Sequence, residues 1–221
     1  MLRFFYSPGS CALASHVALE EAGLSYTAVE VNLHKGDNDS AEYRAINPLG
    51  RVPALDIDGR LLTENTAILN HIADSVPDAG LLPAWGSPDR VRALEWMAFL
   101  ASIVHPGFRA IFRPDRFASE PESTAIDEIR RRGLVNAAEA MRIIEQRLDG
   151  GPYALGDRFS LCDAYLLVFF IWSRREITAP QMPATPVLDA LGERLWQRRT
   201  VQAALAGEGL SELDPWRSTA A

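Results

Sequence analysis

Lysine is nearly missing from this 221-residue chain: Lys35 is the only one, and arginine supplies the rest of its 22 basic residues. Cysteine is scarce too. The two present, Cys11 and Cys162, stand in contexts too unlike for a disulfide framework, so a reducing cytoplasm is the expected compartment. Long apolar runs are absent; the longest stretch, Ala164 to Trp172, is far too short to cross a bilayer, so no membrane association is expected. The first residues lack the basic flank, apolar stretch and small-residue cleavage site of a signal peptide. No basic stripe runs beside an aromatic platform, which argues against nucleic acid as a partner. His16, His34 and His71 have no metal-ligand spacing with one another or with Cys11, so no metal is expected. The charge is uneven: residues 1–80 hold eleven acidic and five basic side chains, which accounts for −6 of the net −7.

What is present is organised around Tyr6-Ser7-Pro8-Gly9-Ser10-Cys11. Leu2 to Tyr6 is short, apolar and aromatic, as a buried strand should be. Pro8 and Gly9 break it, and from Ala12 a helix is predicted that stops at Gly23. Cys11 thus falls where a strand hands over to a helix N-terminus. Unpaired N–H groups and the helix dipole there predict a depressed thiol pKa; the competing reading is a buried, inert cysteine. A Cys-x-x-Cys redox pair is excluded, because Ala14 stands three residues on.

Downstream, Ser25 to Leu33 alternates as a half-buried strand, parallel to the first. His34 to Asn47 reads as a polar loop with one helical turn near Ala41 to Ala45. Asp58-Gly59 signals a hairpin, and Asn65 is an N-cap for a helix through Ile68, Leu69, Ile72 and Ala73. Asp74 to Asp89, rich in Pro and Gly, reads as an interdomain linker. Beyond it only helices are predicted: one from Pro88 to Pro106, one from Glu122 to Leu148, an apolar one after a Ser160–Asp163 capping box, and two shorter ones at Pro186 to Gln197 and Thr200 to Ala206. Cys162 in the apolar helix is expected to be buried and unreactive.

Four segments then point to a family. Tyr-Ser-Pro-Gly-Ser-Cys-Ala-Leu at the start, Asn-Pro-Leu-Gly-Arg-Val-Pro-Ala-Leu from Asn47, Leu-Thr-Glu-Asn-Thr-Ala-Ile from Leu62, and Leu155 to Asp163 resemble a cytosolic glutathione S-transferase. The cysteine places the resemblance nearest the bacterial beta class. It implies an α/β thioredoxin-like domain over residues 1–79, an all-α helical domain over 88–221, and glutathione bound between them as co-substrate.

By position, the resemblance implies that Val52, beside a cis Pro53, pairs its backbone with the cysteinyl part of glutathione. Glu64 and Asn65 take the γ-glutamyl amine and carboxylate, and Lys35 the glycyl carboxylate. His105 approaches the thiol from the helical domain, with Cys11 and Tyr6 as catalytic candidates. Each has a plainer reading: Lys35 a solvated charge, Glu64 an acid at a helix start, His105 a helix terminator, Tyr6 a strand-end aromatic. Phe108, Phe112 and Trp172 are expected to line the pocket of a hydrophobic electrophile. Ala12, Ala98 and Pro106 depart from the family pattern, each removing a polar contact near the sulfur or the ligand. The expected function is attack of the glutathione thiolate on an electrophile. The alternatives are a glutathione-dependent thiol–disulfide reductase or peroxidase working through Cys11, and a non-catalytic binding protein. A homodimer is expected from the resemblance and from helices that would leave Trp96 or Phe99 in water.

Overall fold

The computed structural model describes residues 1–120, 124–148, 151–212 and 214. Strand β1 (Leu2–Tyr6) leads into helix α1 (Leu13–Ala22) and back into β2 (Tyr26–Glu30). After α2 (Ala41–Ile46) come the hairpin β3 (Ala54–Ile57) and β4 (Arg60–Thr63), and helix α3 (Asn65–Ser75). The sheet order is β2-β1-β3-β4. Leu2 pairs in parallel with Tyr26 on one side and antiparallel with Ile57 on the other, the mixed arrangement of a thioredoxin-like sheet.

Beyond residue 80 the described residues form helices: α4 (Pro88–Phe99), α5 (His105–Phe112), α6 (Ala125–Arg147), α7 (Leu161–Ser173), α8 (Pro186–Trp196) and α9 (Arg199–Gly207). The helix expected to stop at Pro106 does not stop there. A π-helical stretch, Leu100–Val104, joins α4 to α5, and Pro106 sits in the first turn of α5, where its missing N–H costs little. The capping box at α7 forms as expected: Asp163 accepts from the Ser160 backbone at 2.7 Å and from its hydroxyl at 2.9 Å. Every residue of α7 is buried, which is why it reads as unbroken apolar sequence.

Several boundaries differ from expectation. The second strand ends at Glu30, because β2 is an edge and Asn32 turns the chain by accepting from the His34 and Lys35 N–H groups. Asp74 and Ser75 belong to α3, and the linker is packed: Leu81 and Leu82 are buried, and the Leu81 carbonyl receives the Leu161 N–H. Glu122, the expected start of the long helix, lies outside the described residues. Trp96 is buried beside Phe99, and Arg147 lies 5.7 Å from its ring, so it is not an aromatic left in water. A single apolar cluster unites both halves, running from Phe4 and Leu13 through Trp96 and Phe108 to Leu205. No helix among the described residues is long and apolar enough to cross a membrane.

Candidate functional site

A cleft separates the C-terminal end of β1 from α5 and α7. It has two lobes that share Cys11, Arg51, Val52, His105 and Arg109. The smaller, about 70 Å³, reaches Thr63, Glu64, Asn65 and Tyr165. The larger, about 230 Å³, reaches Ser10, His34, Phe112, Trp172 and Arg175.

Cys11 forms part of the shared wall but is not the acidic thiol expected. Its pKa is pushed up to about 12, chiefly by burial, with only partial relief from Arg109. The helix dipole argument fails locally because α1 starts at Leu13 and its leading N–H groups are already bound. Ala12 N–H goes to the Ser10 hydroxyl, Leu13 N–H to the Ser10 carbonyl, and Ala14 N–H to the Cys11 carbonyl. The thiol itself donates to the Val52 carbonyl across 3.7 Å. Cys11 is therefore a protonated donor.

Asn65 holds that cysteine in place. Its amide nitrogen donates to the Cys11 carbonyl at 2.8 Å, and its oxygen accepts from the Ser15 hydroxyl at 2.6 Å. It is the first residue of α3 and not the N-cap; its side chain is spent on the protein, leaving only its backbone N–H to a ligand. The capping position falls to Glu64, whose side chain makes no capping bond and whose backbone stands at φ 70°. A non-glycine residue there costs on the order of 1–3 kcal/mol, a cost that marks an over-determined position. That residue borders the smaller lobe.

The Val52 edge is pinned by its loop. The Arg51 carbonyl accepts from Tyr43 Oη and Asn47 Nδ2, each at 2.7 Å, and the Gly50 carbonyl accepts from Asn38 Nδ2 at 3.2 Å. Gly50 is required: at φ 58° a Cβ would stand 2.8 Å from the Asn38 carbonyl oxygen. The Val52–Pro53 peptide is cis.

His105 faces the cleft from α5 and is neutral. Burial first, then Arg109 and Arg51, bring its pKa down to about 4, and its ring packs edge-on to Trp172 at 5.4 Å. Arg109 follows on the same helical face four residues later, a spacing that could have revealed it in the sequence. Arg51, inside the segment from Asn47 but given no role, was also missed, as were Tyr165 and Arg175, which lie outside the quoted motifs and reach the cleft only through the fold.

Other expected residues stand elsewhere. Tyr6 donates to the Gly207 carbonyl at 3.1 Å and stacks on Phe4, tying β1 to α9 without lining either lobe. Lys35 is exposed and also lines neither lobe, while Arg51 occupies the wall that both share. Phe108 is fully buried behind Phe112 and Trp172, so the larger lobe meets only those two. Ala98 and Pro106 are exposed and line neither lobe, so their departure from the pattern takes nothing from the cleft; Ala12 is buried beneath it. Among the described residues, no group of three or more His, Cys, Asp or Glu side chains is arranged to hold a metal.

Comparison with known proteins finds relatives of both halves of the chain. The profile of the glutathione S-transferase N-terminal domain matches residues 2–74, and that of the C-terminal domain matches residues 127–180. Glutathione S-transferase GstA of Escherichia coli O157:H7 is 36% identical over 211 residues, covering 95% of this chain and 100% of its own. A glutathione transferase homologue from Sulfitobacter, solved with bound glutathione, superposes with a TM-score of 0.85 at 31% identity, covering 95% of this chain and 99% of its own. The beta-class enzyme of Sphingomonas chungbukensis gives a TM-score of 0.81 at 36% identity, with 94% and 99% covered. With matching profiles in both halves and relatives that cover 94% to 95% of it, the chain belongs to the glutathione S-transferase family, near its bacterial beta class.

Proposed function

We propose that the cleft binds glutathione and directs its thiolate at an electrophilic carbon held in the larger lobe. The γ-glutamyl end enters the smaller lobe, where the Glu64 carboxylate answers the ammonium and the N–H groups opening α3 answer the carboxylate. The cysteinyl backbone lies along Val52. Arg51 takes the glycyl carboxylate, the role expected of Lys35.

The observation that carries the reading is the protonated Cys11 thiol in a wall shared with Arg109. A thiol that keeps its proton donates to the incoming glutathione sulfur, and Arg109 stabilises the negative charge there; both favour the thiolate of glutathione. Neutral His105 contributes no charge and packs the site against Trp172. Attack then forms the carbon–sulfur bond while the leaving group departs with its electron pair. Cys11 is not consumed. Disulfide exchange would require a Cys11 thiolate, the form that burial disfavours, so the reductase reading is second to transfer.

A Cys11→Ala variant tests the division of roles. Disulfide exchange should vanish, because Cys162 is fully buried, while conjugation should fall only about tenfold, the loss of one hydrogen bond to a charged group. Equal collapse of both activities in folded protein would show that Cys11 serves a shared step. We further read the protein as a homodimer, with exposed Val91 and Ile103 on the α4–α5 run covered by a second copy. A single-subunit mass by light scattering at micromolar concentration would rule this out.

A further inference from the structure

Arginine crowds the larger lobe beyond what glutathione requires. Arg51, Arg109, Arg113, Arg116 and Arg175 line it, and among the described residues no acidic side chain does. Arg113 is neutralised by Asp115, through Nε at 2.9 Å and a terminal nitrogen at 2.8 Å. Among the described residues, the other four make no ion pair. Arg51, Arg109 and Arg116 also work against one another. After burial, which is the larger cause, Arg51 lowers the pKa of Arg109 against Cys11 and Glu64, while Arg113, Arg51 and Arg109 lower that of Arg116 against Asp115. A concave surface whose guanidinium groups outnumber the acids that act on them, Asp115 on Arg113 and Arg116 and Glu64 on Arg109, is arranged for anions.

Glutathione consumes part of this charge. On the transferase reading, Arg51 meets its glycyl carboxylate and Arg109 its thiolate, which leaves Arg116 only its attraction to Asp115 and Asp39, and Arg175, among the described residues, no carboxylate partner. Arg175 is held in a definite place. It donates to the Gly9 carbonyl at 2.7 Å, and its guanidinium lies 5.1 Å from the Phe112 ring centre and 6.0 Å from that of Trp172. A flat ring set against Phe112 and Trp172 would carry its far edge beside that guanidinium.

We propose that the second substrate is an aryl electrophile bearing a carboxylate, its ring against Phe112 and Trp172 and its carboxylate on Arg175, with Arg116 behind. The inference rests on the transferase reading and narrows it. For an aryl chloride the step balances simply. The glutathione sulfur, its proton already lost to solvent, attacks the ring carbon that carries chlorine. The carbon–sulfur bond forms, and chloride leaves with the bonding pair. The carboxylate passes through unchanged and serves only to hold and orient the ring.

The test compares 4-chloro-3,5-dinitrobenzoate with its methyl ester, each rate divided by its uncatalysed rate with glutathione. The carboxylate should be favoured about tenfold in kcat/KM, as one charge-assisted contact allows, and the preference should shrink as salt is raised. Arg175→Gln should bring the ratio close to one, mainly through KM of the carboxylate; Arg175→Lys should restore part of it. Because Arg175 also holds Gly9, the ratio is the readout: a merely structural loss lowers both rates together and leaves it unchanged, which would overturn the assignment. Equal use of the two compounds by the unaltered protein would overturn it as well. If neither compound reacts, the aryl chloride is refuted as the electrophile, and the charge preference is then decided by calorimetry of the chlorine-free pair, 3,5-dinitrobenzoate and its methyl ester, on protein holding glutathione. Tighter binding of the carboxylate upholds an anion-accepting lobe, and equal binding refutes it.

Discussion

Cys11 and Cys162 occupy similar places in the chain, one just ahead of a helix and one in a first turn, and each gives its S–H to a distant carbonyl. Cys11 donates to Val52 at 3.7 Å and Cys162 to Ala93 at 3.5 Å. Burial raises both pKa values. A helix start therefore does not make a cysteine acidic here; desolvation outweighs the dipole in both places. The neighbours make the difference. Cys11 shares a cleft with Arg51, His105 and Arg109, while Cys162 is sealed beside Asp163 among apolar side chains. One neighbourhood can do chemistry, and the other holds the helices together.

The largest effect that would sharpen this contrast lies on the Cys162 side. Asp163→Ala strips the acceptor from the Ser160 and Ala154 N–H groups and the Ser160 hydroxyl. Leaving those buried donors unpaired should cost about 3 kcal/mol, read from the midpoint of urea unfolding. A shift below about 0.5 kcal/mol would erase the structural half of the comparison.

Opposite pH slopes come next. His105, near 4 when folded and about 6.5 when unfolded, leaves the unfolded chain holding the extra proton, so its contribution to stability is lost as pH falls from about 6.5 to 4. Asp163 stands near 6 when folded, raised by burial, against an ordinary 3.8. The folded chain holds that proton longer, so stability falls as pH rises from about 4 to 6. Each slope is worth on the order of 2–3 kcal/mol. His105→Gln should flatten the acid-side loss, and Asp163→Asn the rise toward acid, in melting curves taken between those pH values. Parallel profiles for the two variants would break the distinction.

The smallest effect is chemical. Iodoacetamide should label Cys11 slowly at pH 7, faster with every rise in pH up to 9 without levelling, and slower with glutathione bound. Cys162 should stay unlabelled in native protein throughout. A plateau near neutral pH, read by mass spectrometry, would restore the acidic thiol that the sequence suggested.

The sequence was most readable where one local rule governed. The capping box at Ser160, the Asp58-Gly59 hairpin and the wholly apolar run of α7 each declared themselves, because burial and capping leave a short-range pattern. Family motifs carried attention to Cys11, Val52, Glu64, Asn65 and His105, and all five line the cleft. Illegible were features set by chain crossings. Phe108 and Phe112 lie on one helix, yet only packing against α7 decides which of them reaches the cleft. Tyr6 looked like a catalytic hydroxyl until α9 supplied its acceptor, and the arginine wall draws on residues from 51 to 175.

Gly9 sits between the strand and the cysteine, and its peptide groups answer to the far end of the chain. Its carbonyl accepts from Trp172 at 2.9 Å and Arg175 at 2.7 Å, and its N–H donates to Glu208 at 2.8 Å. The other oxygen of Glu208 meets His16 Nδ1 at 3.1 Å, in the buried face of α1. A ribosome releases these partners some 160 to 200 residues after Gly9, as the separations between donors and acceptors require. The nascent chain can pair its sheet and wind α1 long before then. Asn65 already holds the Cys11 carbonyl, but the Gly9 end of the loop gains its fasteners only with the last helices. Maturation of the site is thus a late event in synthesis, and a product cut short before Trp172 would carry every glutathione motif of the first half with the Gly9 peptide groups unfastened.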